Sequence, residues 1–107
     1  MIVKRAAQLA EFAPDRMGKV SLAGAGHLYA GLNCFEAGQE HKAHVHADQD
    51  KLYVVLEGGG EATVGEEKAA ISAGDIVLAP AGVAHGLRNP GPGRLVVLVV
   101  FAPPPKK

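Results

Sequence analysis

Three histidines form the pattern in this sequence with the clearest chemical meaning. His44 and His46 are two residues apart, so on a β-strand both imidazoles would point to the same face. His85 follows a Pro-Ala-Gly turn, on a segment that has the pattern of another strand. Neutral imidazole is a common ligand of transition metals. Three such rings that converge inside a small barrel would form a metal site.

The segment that contains His85 has an ordered frame of turn residues. The frame is Gly, five residues, Pro-x-Gly, two residues, His, three residues and Asn, and it matches at Gly74, Pro80, Gly82, His85 and Asn89. At every position this segment resembles the second motif of the cupin superfamily. The resemblance implies an all-β fold, the cupin jelly-roll β-barrel or double-stranded β-helix.

The segment that contains the His-x-His pair resembles the first cupin motif. That motif begins with Gly, five residues and His-x-His, which Gly38, His44 and His46 match. The two motifs and the chain between them cover residues 38–89, about half of the sequence. The resemblance implies that His44, His46 and His85 bind a metal.

The position of the family's glutamate ligand differs in this chain. With the shorter motif spacing the position is Asp50, a plausible carboxylate ligand, but the closing Gly58 then falls one residue late. With the longer spacing Gly58 fits, and the position is Lys51, which cannot ligate a metal while it is charged. Asp50, Gln49 or water could therefore complete the site. The strand pattern slightly favours three histidines with Gln49 or water, and Lys51 near the mouth.

Alternation along residues 51–56 predicts which side chains face the cavity. It puts Lys51, Tyr53 and Val55 on one face, and the cupin frame places that face inward. Lys51 would then oppose a nearby cation or hold an anionic ligand. In the alternative interpretation, Asp50 and Lys51 lie in a solvated loop at the barrel mouth. The candidate contacts to a small-molecule ligand are Gln49, Lys51, Tyr53 and Arg88.

Composition restricts the classes of partner. The 107 residues predict one domain, residues 1–107. Lys plus Arg equals Asp plus Glu at 11 each, and no basic stripe favours nucleic acid. The single Cys34 excludes an internal disulfide and fits a reducing compartment. The N-terminus lacks a signal-peptide pattern, and no apolar run approaches the ~20 residues of a membrane helix. We therefore expect a cytoplasmic protein that binds neither nucleic acid nor membrane.

Glycines and prolines separate short apolar runs, which is typical of an all-β sandwich or barrel. One short helix is predicted within residues 5–12, and the proline-rich tail is expected to be extended or frayed. His41 is expected at the rim or surface. The predicted strands lie near Val3 and at residues 19–23, 27–35, 43–46, 51–57, 60–64, 68–71, 76–79, 84–89 and 94–101.

The run LVVLVVF at residues 95–101 bears on assembly because it has no polar alternation. A barrel strand with one solvated face should alternate apolar and polar residues. Both faces of this strand must therefore be covered, either by a second subunit or by the N-terminal segment of the same chain. We expect a homodimer through this face and the region of Ile2 and Val3, since two-fold dimers are the commonest homo-oligomers.

These patterns predict a small metal-binding protein with a divalent transition metal: zinc, nickel, iron, manganese or copper. Open metal positions could bind a chelating substrate or dioxygen, or polarise a carbonyl group. The leading hypothesis is a dioxygenase- or isomerase-like metalloenzyme that acts on a small molecule, which could be anionic. The alternatives are a non-catalytic, metal-dependent binding or sensing barrel, and a purely structural barrel. The sequence offers no convincing general acid or base.

Overall fold

The computed structural model describes residues 1–105, which form a two-sheet antiparallel barrel. A 3₁₀ turn at Ala6–Leu9 precedes the strands. The strands within the described residues are β1 Gly18–Gly24, β2 Tyr29–Phe35, β3 Glu40–His44, β4 Asp50–Glu57, β5 Gly59–Val64, β6 Glu67–Ser72, β7 Ile76–Ala79, β8 His85–Arg88 and β9 Leu95–Ala102.

The two sheets enclose the core between them. The first has the order β1-β2-β9-β4-β7, and the second has the order β3-β8-β5-β6. Apolar side chains from both sheets pack in the interior, among them Phe35, Val55, Leu87 and Val97. This arrangement confirms the predicted all-β jelly-roll fold. No helix among the described residues is long and apolar enough to cross a membrane.

Strand β4 shows why the barrel has a polar group in its interior. Burial alternates along the strand, and Lys51, Tyr53 and Val55 are each at most 2% exposed. Because side chains alternate between the two faces of a strand, the lysine shares the inward face with the tyrosine and the valine. The predicted inward orientation of Lys51 is confirmed, and its placement in a solvated loop is wrong.

Strand β9 is buried on its inner face and partly covered on its outer face, which explains its uninterrupted apolar run. It lies in the middle of the five-stranded sheet, between β2 and β4. Leu95, Val97 and Val99 pack in the main core. On the opposite face Val96 joins a second cluster, against which Ala7, Ala10 and Phe12 of the N-terminal segment pack. The chain itself therefore covers part of the outer face.

The structure corrects three of the predicted elements. Val3 lies outside any strand, and the helix predicted within residues 5–12 is a short 3₁₀ turn. Strand β3 begins at Glu40 and ends at His44, so His46 lies beyond it in the connection to β4. The tail is anchored at Pro103, whose carbonyl oxygen accepts a hydrogen bond from Gln49 Nε2 at 3.0 Å. Residues 106 and 107 of the predicted frayed tail lie outside the described residues.

Candidate metal centre

Backbone contacts hold together the two segments that carry the histidines. The amide of Gly82 donates to the His46 carbonyl oxygen at 2.9 Å. The amide of the preceding residue, Ala81, donates to Asp50 Oδ1 at 2.8 Å. Gly82 has a φ of +81°, a conformation that favours glycine over residues with a side chain. The turn before His85 is thus fixed against the connection that contains His46.

The three predicted histidines form one group. His44 at the end of β3 and His85 at the start of β8 are register partners. The His44 ring centroid lies 4.4 Å from that of His85 and 4.7 Å from that of His46. One candidate ligand atom from each residue lies within 4.8 Å of the other two. Sheet pairing supplies two members of the group, and the β3–β4 connection supplies the third.

Hydrogen bonds orient two of these imidazoles for metal binding. His44 Nδ1 lies 2.8 Å from the Lys42 carbonyl oxygen, and His85 Nδ1 lies 3.0 Å from the Val83 carbonyl oxygen. A carbonyl only accepts, so each Nδ1 carries the proton and each Nε2 is left unprotonated, with a lone pair that can bind a metal.

His85 Nε2 provides the test of whether a metal fits. It is buried and has no hydrogen-bond partner among residues 1–105. Leaving a buried acceptor unpaired costs about 1–3 kcal/mol, which a metal–nitrogen bond would offset. The three residues therefore fit a divalent transition metal.

Electrostatics keep His46 and His85 in the form that binds metals. Burial lowers the pKa of His46, and the charge of Lys51 lowers it further. Burial also lowers the pKa of His85, although its hydrogen bond to Val83 opposes this shift. Both rings are therefore neutral near pH 7, as metal ligation requires.

Lys51 brings a cationic side chain to the same place. Its Nζ atom lies 3.4 Å from His44 Nε2, 4.7 Å from the Phe101 ring centroid and 5.3 Å from that of Tyr53. Burial, and secondarily the charge of Lys19, lowers the pKa of Lys51 to about 8. The side chain is thus still largely protonated at neutral pH. An ammonium group therefore stands at one of the two positions where the family motif allows a carboxylate.

The other predicted site residues have different surroundings. Asp50 binds the Ala81 amide, Gln49 binds Pro103, and Arg88 Nη1 forms an ion pair with Glu61 Oε1 at 2.8 Å. Within residues 1–105, the group of potential metal ligands consists of the three histidines and includes no carboxylate.

Tyr53, by contrast, does lie beside the histidines. Its ring centroid is 6.2 Å from that of His85, and burial raises the pKa of its phenol. The hydroxyl is buried and has no hydrogen-bond partner among the described residues. Tyr53 therefore offers a neutral hydroxyl donor next to the three-histidine group.

His41 was expected at the rim or surface, but it lies beside the three histidines. Its ring centroid lies 4.2 Å from that of His44, and burial, reinforced by His44 and Lys51, lowers its pKa to about 3. Residues three apart on a regular strand face opposite sides. The pairing of β3 with β8 shifts register between His41 and His44, and this irregularity brings both rings together.

Comparisons with known proteins agree with this architecture. A cupin-domain family model matches residues 31–101. An uncharacterized protein of Streptomyces coelicolor is 40% identical over 78 residues, which cover 73% of this chain and 72% of that protein.

Two solved structures are similar over nearly the whole chain. A protein of Thermus thermophilus is 38% identical with a TM-score of 0.92, covering 98% of this chain and 100% of that one. An RmlC-like cupin protein from Desulfovibrio desulfuricans is 31% identical with a TM-score of 0.82, covering 98% and 99%. A family model that matches most of the chain, together with relatives at this level of identity, establishes that the chain belongs to the cupin family.

Proposed function

We propose that this protein binds one divalent transition metal through His44, His46 and His85 and uses it to act on a small anionic molecule. The observation that carries the proposal is the buried Nε2 of His85, which has no hydrogen-bond partner in the described part of the chain and lies beside two further imidazoles. Zinc, nickel, iron, manganese and copper all suit imidazole ligands. A metal with three neutral ligands keeps its full positive charge, which favours an anionic chelating ligand.

The reaction that we propose is of the dioxygenase or isomerase type. A bound metal would supply Lewis-acid or redox chemistry at its open positions. The residues of the chain would orient and enclose the ligand. Tyr53 would donate a hydrogen bond to the ligand, which is supported by its buried hydroxyl without a partner among the described residues and by its raised pKa. Phe101, whose ring centroid lies 6.2 Å from that of His46, would limit access of water.

Oxalate and lactate, each added to metal-loaded and to metal-free protein, test this proposal by thermal unfolding. A ligand that reaches the metal should raise the melting temperature of the loaded protein by more than that of the metal-free protein, because the loaded form binds it more tightly. Equal shifts in both forms would contradict a role for the open metal positions.

A second candidate function is non-catalytic, metal-dependent binding or sensing. The buried polar residues in the described part of the chain are Asn33, Lys51, His85 and Asn89, and none is a carboxylate that could act as a general base. The two functions are separated by oxygen uptake and by proton NMR of the ligand in the presence of loaded protein. Turnover favours the enzyme, and unchanged ligand with a thermal shift favours the binding protein.

We also propose that two chains form a cytoplasmic homodimer through the outer face of the five-stranded sheet. Two cross-strand rows of apolar side chains support this, because the register aligns β2, β9, β4 and β7. The outer members, Ile76 and Leu78, are 65% and 57% exposed. The rows are Leu32–Leu98–Val54–Ile76 and Ala30–Val100–Leu52–Leu78. Because Leu32 is already buried in the cluster with the N-terminal segment, the proposed interface uses the members toward β7.

A further inference from the structure

A small cavity lies inside the barrel next to the three-histidine group. It has a volume of about 70 Å³ and is lined by residues that include Lys19, Asn33, His41, Lys51 and Phe101. Two of these, His41 and Lys51, contact His44 directly. The cavity therefore adjoins the candidate metal position on the side of strands β1 and β2.

The charged side chains that line this cavity, Lys19 and Lys51, are both cationic. Ion pairs join Arg88 to Glu61 and Arg94 to Glu36, and neither involves Lys51. Among residues 1–105, the contacts of the Lys51 ammonium are with an imidazole and two aromatic rings. A buried ammonium is costly unless a negative charge compensates it.

Further polar groups of the cavity suit an oxyanion. His41 has a buried Nδ1 without a hydrogen-bond partner in the described part of the chain. Asn33 is 5% exposed and contributes a carboxamide that can donate two hydrogen bonds. Lys19 lies on the same wall and adds a second positive charge. Ammonium, amide and imidazole donors together match the oxygens of a carboxylate.

The volume of the cavity restricts which chemical groups it can hold. A volume of about 70 Å³ is roughly that of two water molecules in the liquid. This space can enclose one carboxylate group and is too small to enclose an aromatic ring or a sugar.

We propose that this cavity is a carboxylate subsite, with Lys51 as the residue that selects a short-chain acid whose second oxygen reaches the metal. The inference rests on the proposed metal function and deepens it. Two cations close together repel each other, and an anion that contacts both removes the repulsion. The ligand class is therefore a short hydroxy, keto or dicarboxylic acid, with its carboxylate on Lys51 and its other oxygen on the metal.

Cobalt spectroscopy tests the subsite. Metal-free protein is loaded with one equivalent of Co²⁺, and its visible spectrum is followed while glycolate or its neutral analogue glycolamide is added. The wild type should prefer glycolate, and Lys51→Met should reduce this preference about tenfold or more, because a charge-assisted contact is lost. The exposed Lys68 offers a matched control, and Lys68→Met should keep the wild-type preference. Lys51→Gln provides a second neutral variant in case the methionine variant does not fold.

The outcomes distinguish the two proposals. Failure of the wild type to bind Co²⁺ stoichiometrically would contradict the metal function itself. Stoichiometric Co²⁺ with an unchanged glycolate preference in the Lys51 variants would overturn the subsite and leave the metal function intact. A preference that falls in both Lys51 variants and persists in Lys68→Met supports the subsite.

Discussion

Asp50 and Lys51 are neighbours in sequence, yet their side chains have different roles. The ammonium of Lys51 enters the barrel, whereas the carboxylate of Asp50 accepts the Ala81 amide near the surface. Strand alternation puts Lys51 on the same face as Tyr53 and Val55, and the cupin resemblance implies that this face points inward. The hydrogen bond of Asp50 could not be predicted, because its donor lies 31 residues away in the chain.

Substitution of Asp50 by alanine should therefore affect stability rather than metal content. Loss of one hydrogen bond to the turn before His85 should lower the free energy of unfolding by about 1 kcal/mol. Urea unfolding of the metal-free protein measures this change, and elemental analysis measures the metal. Loss of the metal in Asp50→Ala would instead indicate that the carboxylate is a ligand.

His41 gives the metal-free protein an acid-sensitive stability. Its pKa is about 3 in the folded chain, whereas an unfolded histidine titrates near about 6.5. Between these values the unfolded state binds a proton that the folded state does not, so stability is present above about pH 6.5 and is lost as pH falls. His46 and His85, whose pKa values are also lowered, act in the same direction.

Urea unfolding of the metal-free protein at about pH 7.5 and about pH 5 measures this loss. His41→Gln should reduce the difference between the two conditions. The exposed His27 offers a matched control, and His27→Gln should leave the difference unchanged. Equal pH dependence in wild type and His41→Gln would contradict the proposed role of His41.

At the scale of elements, strand β3 carries one feature that the residue spacing predicts and one that depends on strand pairing. The His-x-His spacing predicts convergence of His44 and His46, and the structure brings them together, although β3 ends at His44. The orientation of the His41 ring toward His44 depends on the irregular pairing of β3 with β8, and no local sequence pattern predicts this irregularity. Gly86 permits this close approach, because a Cβ there would lie 2.8 Å from the His41 carbonyl oxygen.

The N-terminal segment and strand β2 form the second apolar cluster, which predicts a difference between two leucines. Leu32 is 1% exposed in that cluster, whereas Leu28 is 44% exposed. Leu32→Ala should lower the free energy of unfolding by about 2–5 kcal/mol through lost burial and the cavity that remains. Leu28→Ala should cost less than about 1 kcal/mol. Chemical unfolding measures both, and similar losses would contradict the packing of β2 against the N-terminal segment.

At the scale of the whole molecule, the sequence shows that residues 95–101 must be covered but not what covers them. Ala7, Ala10 and Phe12 cover one end of the outer face, around Val96. The apolar rows across β2, β9, β4 and β7 could not be predicted, because they depend on a strand order that joins distant parts of the chain.

These rows predict a dimer that a surface charge can dissociate. Light scattering at micromolar concentration should give about twice the chain mass of 11.0 kDa. Leu78→Lys should shift the protein toward the monomer, because the substitution places a charge in the apolar face. Ala25 is exposed and belongs to neither row, so Ala25→Lys is the control and should remain dimeric. A wild type that stays monomeric at all concentrations would contradict the proposed interface.

The metal content of protein purified without a metal-affinity tag tests the central proposal most directly. Elemental analysis should find about one equivalent of a divalent transition metal per chain, because three neutral imidazoles with open positions suit such an ion. The double variant His44→Ala/His46→Ala should carry almost none, while His27→Gln should retain the wild-type amount. A full equivalent of metal in the double variant, or none in a wild type supplied with each candidate metal, would contradict the three-histidine site.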